Sequence, residues 1–292
     1  MVQLGGGTVG AARAVLAALI TAAAAGGMLA GLRDEAPAAV PTCVQAGPYA
    51  PPAPDSVGVP DDLPLCRISA LTVSEPGAVL DGLEVAGGIV VEARDVVVRR
   101  SRVTGDGTLP AGIRTVDGGS VRIEDTTVTG DFTEAGVEGA DWTAERVELA
   151  GLRGDPDLTG ARLGPGVTLR NSWLHDLAGS GDALALVAPA GDVLVEGNRI
   201  ERGPGGGSAV VVDPPPAWRA ERPGAVVIRG NELGGGDYTL RLGETSDGLS
   251  DLRITGNRFR RDAAVGPLRV PGEADLADNL FVDGGLLGGD RG

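Results

Sequence analysis

From residue 98 onward one short pattern recurs: an apolar residue, four mostly polar positions, then a second apolar residue. The instances are VRRSRV from Val98, IEDTTV from Ile123, AERVEL from Ala144, LRNSWL from Leu169, VEGNRI from Val195, IRGNEL from Ile228, ITGNRF from Ile254 and LADNLF from Leu276. Their anchors lie 21 to 33 residues apart, and the longest interval holds PPPAWRAERPG. A further apolar segment precedes many anchors: GIRTV at Ile113, ALALV at Leu184, AVVV at Val210, TLRL at Leu240 and PLRV at Leu268. Each unit therefore supplies at least two short strands, and a period of this size marks a solenoid of stacked coils.

Stacked coils place equivalent positions in files along the axis, with rungs about 4.8 Å apart. Five residues after each anchor stand Val103, Val128, Leu149, Leu174, Ile200, Leu233, Phe259 and Phe281, an unbroken apolar file that must face the interior. Three after the anchor stand Ser101, Thr126, Val147, Ser172, Asn198, Asn231, Asn257 and Asn279. Asparagines in register predict hydrogen bonding along the axis at a corner. Strand alternation turns the intervening file outward: Arg102, Thr127, Glu148, Trp173, Arg199, Glu232, Arg258 and Leu280. Glycines at 105, 130, 151, 203 and 234 follow these strands, where a corner can demand positive φ. The LxxLxLxxN spacing of leucine-rich solenoids does not recur. The pattern predicts an all-β parallel solenoid of about eight coils.

Composition agrees. Glycine supplies 49 residues and proline 20, with aromatics at 3%, which favours short strands and tight turns over helices. The formal charge is −15 and all 25 basic residues are arginine. That excludes nucleic acid as an expected partner and opposes polyanions at long range. Residues 14 to 32, AVLAALITAAAAGGMLAGL, form an uncharged run between Arg13 and Arg33 and read as a helical export segment, a cleaved signal peptide or a retained anchor. Cys43 and Cys66, the only cysteines, bracket a proline-rich stretch. Outside the cytoplasm they are expected to form a disulfide worth about 3 kcal/mol in the chain-entropy model. The expected division is 1–35 signal or anchor, 36–66 proline-rich linker, 67–285 solenoid and 286–292 glycine-rich tail.

The segments DVLVEGNRIERG, AVVIRGNELGGG and DLRITGNRFRRD resemble the repeats of the pectate-lyase-like right-handed parallel β-helix superfamily, over roughly residues 79 to 282. The resemblance implies a right-handed coil and establishes architecture rather than chemistry. Asn171-Ser172-Trp173-Leu174-His175-Asp176-Leu177 is also similar to short secreted bacterial β-helix proteins carrying an N-S-W-x-H-D-L strand. The H-x-D-G-I/V-Q segment that follows there is replaced by Ser180-Gly181-Asp182-Ala183-Leu184-Ala185. The N-T-D, D-D, G-H-G and R-I-K set of polygalacturonases has no counterpart.

Trp173 is the aromatic exception in the outward file. With His175 on its own strand and Glu148, Arg199 and Glu201 on adjacent coils, it suggests a patch where an indole stacks on a sugar ring while polar groups hold hydroxyls. Asp176 and Asp182 are expected nearby, and His175, Asp176 and Asp182 are the acid–base candidates if the protein is an enzyme. The plainer alternative packs Trp173 under a loop such as GLRGDPDLTG and pairs His175 with an acidic neighbour. Arg253, Arg258, Arg260 and Arg261 form a basic cluster; Trp142 reads as packing, and Trp218 sits in the 214–224 insertion. No metal or cofactor is expected, calcium only if the protein is a lyase. The expected function is an exported, secreted or cell-envelope module that contacts a polysaccharide without catalysis and touches membrane only through its N-terminal segment. A divergent polysaccharide lyase or glycoside hydrolase, and a purely structural, self-associating protein, are the alternatives.

Overall fold

The computed structural model describes residues 56–187, 191–203, 206–213, 224–244, 249, 251–271 and 274–287. The expected export segment, Cys43, Trp218 and the end of the glycine-rich tail lie outside these residues. All regular structure in the described part is β, and every pairing between named strands is parallel. One representative coil runs Val167–Arg170, Trp173–His175, Leu184–Leu186. The middle coils thus have three strands where the apolar pattern announced at least two, because the anchor and the apolar residue five positions later lie on different faces, with a corner between them.

The first face is an eight-stranded sheet built on the anchor strands. The second and third faces belong to one 17-stranded sheet, joined where the long strands Cys66–Val73 and Leu83–Val91 run through both. The first-face sheet begins one coil earlier than the repeat suggested, at Val79–Asp81. The segment LDGLEV from Leu80 fits the pattern but stands only 18 residues before Val98, a shorter interval than any other. At the far end, the Leu276 anchor forms no named strand; its neighbour Asp275 only bridges Arg253.

The interior file is continuous. Val85 pairs with Val103, Val103 with Val128, Val128 with Leu149, Leu149 with Leu174, Leu174 with Ile200, Ile200 with Leu233, Leu233 with Phe259 and Phe259 with Phe281. All are buried. Trp142 is also buried, on the first face, as packing requires.

The corner between the first and second faces carries the polar file. Asn231 Oδ1 accepts the Asn198 backbone N–H at 2.8 Å and the Asn198 side-chain amide at 3.0 Å; Asn257 does the same for Asn231, and Asn279 for Asn257. Each Nδ2 also donates to the carbonyl of the anchor one coil back, Leu169, Val195, Ile228 and Ile254 in turn. In earlier coils hydroxyls replace part of this: Ser101 Oγ accepts from Leu83 N–H at 3.1 Å and Ser172 Oγ from Val147 N–H at 3.0 Å. Each such bond contributes on the order of 1 kcal/mol net.

The residue just before this file must turn the chain, and it adopts left-handed φ in every coil: Gly82, Arg100, Asp125, Arg146, Asn171, Gly197, Gly230, Gly256 and Asp278. Of the glycines expected to do so, Gly130 and Gly151 have positive φ, whereas Gly105, Gly203 and Gly234 do not. The left-handed corner precedes the asparagine file instead of following the second strand. Gly105 is needed for a different reason, since a Cβ there would lie 2.2 Å from the Asp131 carbonyl.

Beyond Phe281 the chain folds back: Leu280 forms an antiparallel bridge with Leu286, and Leu287 N–H donates to Asn279 O at 3.3 Å. An antiparallel segment over the second-face edge blunts the parallel pairing that self-association there would use.

Candidate functional site

Of the residues singled out in the sequence, the second face gathers Glu148, Trp173, His175, Asp176, Arg199 and Glu201. Glu148, Trp173 and Arg199 are register partners on three consecutive coils. The His175 ring stacks on the indole with centroids 3.8 Å apart, and the Arg199 guanidinium lies 4.8 Å from the indole centroid. Nε2 of His175 is 3.2 Å from Glu148 Oε1, and Nδ1 is 2.8 Å from Asp176 Oδ2. The His175 side chain is only 14% exposed. Arg199 donates to Glu201, which also pairs with Arg260 at 2.9 Å. The linker reaches this region: Gly58 N–H donates to Arg146 O at 2.8 Å, and Val59 N–H to Thr127 Oγ at 3.0 Å, beside Glu148. Trp173 is half-buried, and its indole N–H is buried with no partner among the described residues.

The basic cluster is largely neutralised. Arg253 pairs with Asp251 at 2.8 Å, Arg260 with Glu201 and Glu232 at 2.9 Å, and Arg261 with Asp283 at 2.8 Å. Cys66 opens the first strand of the solenoid, half-buried against the core; its expected partner, Cys43, is outside the described residues.

Asp182 does not join the Trp173 patch. It lines a cleft of about 460 Å³ at the entry to the third face, in which none of the patch residues takes part. Ser208, Asp237, Tyr238, Arg241 and Arg269 line the same cleft, so it crosses consecutive coils. Position in the fold explains the separation: Asp182 follows a loop that carries the chain from the second face around the next corner, turning it away from the strand that holds Trp173.

Arg202 builds that corner. Its guanidinium is buried and donates to three carbonyls of the Asp182 loop, those of Leu177, Gly179 and Gly181. Gly207 closes the floor with φ +70°, and a Cβ there would lie 2.3 Å from the Gly181 carbonyl. Asp182 Oδ1 accepts the Ser208 N–H at 2.8 Å, and Oδ2 lies 4.0 Å from Arg241. Burial pushes the Asp182 carboxyl above the usual range, and the Ser208 hydrogen bond and the charges of Arg241 and Arg202 only partly offset this.

The cleft therefore offers carboxylate acceptors, guanidinium donors and a tyrosine ring within one wall. Its lining was illegible in the sequence except for Asp182, because Tyr238, Arg241 and Arg269 sit in strand segments read only as apolar. Among the described residues no group of three or more His, Cys, Asp or Glu side chains is arranged to hold a metal ion. No family model matches the chain, and a search among curated proteins finds no significant match.

Proposed function

We propose that this protein is an exported, secreted or cell-envelope β-helix that binds a polysaccharide without transforming it, winding right-handed as the superfamily its repeats resemble. The observation that carries the reading is the Asp182–Arg241 cleft. It extends along the coil axis, and its polar lining suits a ligand rich in hydroxyls. The Trp173 patch, first choice from the sequence, contributes less in this reading because His175 already stacks on its indole.

Glycan-array binding by the intact chain tests the proposal. Retained glycans should be lost with Tyr238→Ala and kept with Trp173→Ala. Absence of any bound glycan, or binding indifferent to Tyr238→Ala, would overturn it.

One observation favours a second reading as a divergent glycoside hydrolase or lyase: Asp182, with its raised carboxyl, is suited to hold a proton for a leaving group. Turnover of a bound glycan that disappears in Asp182→Asn would replace the binding module by the enzyme.

A further inference from the structure

Tight arginine pairing is common in the described residues. Thirteen arginines have a carboxylate oxygen within 3.3 Å, from Arg67 and Glu84 at one end to Arg261 and Asp283 at the other. Arg241 is the one ion-paired arginine held apart: its nearest carboxylates are Asp213 at 3.8 Å and Asp182 at 4.0 Å, beyond hydrogen-bond reach. Its register partner on the next coil is the exposed Arg269, whose guanidinium lies 5.9 Å from the centroid of the Tyr238 ring. Their strands lie about 4.8 Å apart, and like charges at directly opposite register positions repel one another. An anion seated between them turns that cost into charge-assisted, bidentate hydrogen bonds.

We propose that the cleft selects a glycan bearing one isolated anionic group, a carboxylate, sulfate or phosphate, held across Arg241 and Arg269. The same lining limits the charge of the ligand. Asp157, Asp182 and Asp237 share the cleft, and the chain carries −15 overall, so a run of consecutive acidic sugars meets repulsion on either side of the arginine pair. Neutral sugars next to the anion instead donate hydroxyls to those carboxylates. The inference rests on the glycan-binding reading above and adds the ligand's charge pattern.

The test uses the intact chain and matched oligosaccharides, each neutral or carrying a single uronate, sulfate or phosphate, with oligogalacturonate as the polyanion. Titration should show the singly charged member binding about tenfold tighter than its neutral twin, roughly 1.4 kcal/mol. That advantage should vanish in Arg269→Gln, whose unfolding midpoint should match the parent's. Preference for the uronate, sulfate or phosphate arm identifies the anion. Equal binding of neutral and charged twins, with loss in Tyr238→Ala, overturns the anion while glycan binding stands. Tightest binding of oligogalacturonate overturns the single charge. Failure of every oligosaccharide to bind overturns both proposals.

Discussion

The Trp173 patch and the Asp182 cleft occupy neighbouring faces of one solenoid and draw on the same residue types, yet they differ in what their charges do. In the patch, His175 has a carboxylate at each ring nitrogen, Arg199 and Arg260 share Glu201, and the indole is covered by imidazole. In the cleft, Arg241 stands off from its carboxylates and Asp182 is half-buried with its carboxyl raised. Charges satisfied internally hold a surface together, whereas charges held apart on a rigid wall are what a ligand can complete. Rigidity matters here, because a long side chain on a mobile loop would simply find its own partner.

The comparison breaks first at Arg202. Arg202→Ala should lower stability by about 3 kcal/mol, since three loop carbonyls, that of buried Leu177 among them, lose a charged donor. Chemical unfolding followed by circular dichroism checks this, and a loss under about 1 kcal/mol would mean the cleft wall does not depend on that corner.

Trp173→Ala should cost about 2 kcal/mol, less than a fully buried tryptophan, through lost stacking on His175. Trp173→Phe should cost less than the alanine variant, because it keeps a ring against His175 while removing an indole N–H that has no partner among the described residues. Both variants should keep glycan affinity; a drop in affinity with Trp173→Phe would return the binding role to the patch.

pH separates paired from stranded carboxylates. Burial raises Asp81, but hydrogen bonds from Arg100 and Arg99 outweigh it and hold the carboxyl below its usual range. Its stabilisation is present above the unfolded carboxylate pKa and is lost as pH falls through the lower folded value. Asp182 has the opposite sign: its folded pKa lies above the unfolded one, so stability is lost as pH rises through that window. At pH 7, Asp182→Asn should unfold at the same temperature or higher, and Asp81→Asn at a lower one. Thermal melts from pH 3 to 7 would show it, and a lower midpoint for Asp182→Asn would mean the ionised carboxylate is already satisfied.

The smallest effect is expected at Asn171, a non-glycine residue with φ 48° at the corner where the next three coils use glycine. Asn171→Gly should change stability by about 0.5 kcal/mol or less, left-handed strain relieved being balanced by a looser unfolded chain. The same change at Arg146 should destabilise clearly, since Arg146 donates to the fully buried Asp125 at 2.6 Å.

What the sequence determined by itself is the stack: which residues share a file, which file faces inward, and where asparagines bond along the axis. Those features repeat once per coil, so eight imperfect copies of one pattern reinforce each other, and burial of apolar area enforces the register. The same periodicity placed Glu148, Trp173 and Arg199 side by side. Only the tertiary structure decided that Asp182 leaves that group, that the left-handed corner precedes the asparagine file, that the chain folds back over Leu280, and that Arg241 stands 3.8 to 4.0 Å from its carboxylates beside its register partner Arg269. Each of these depends on loop length and corner geometry, which do not repeat, and on side-chain distances of 3 versus 4 Å that a residue pattern does not contain.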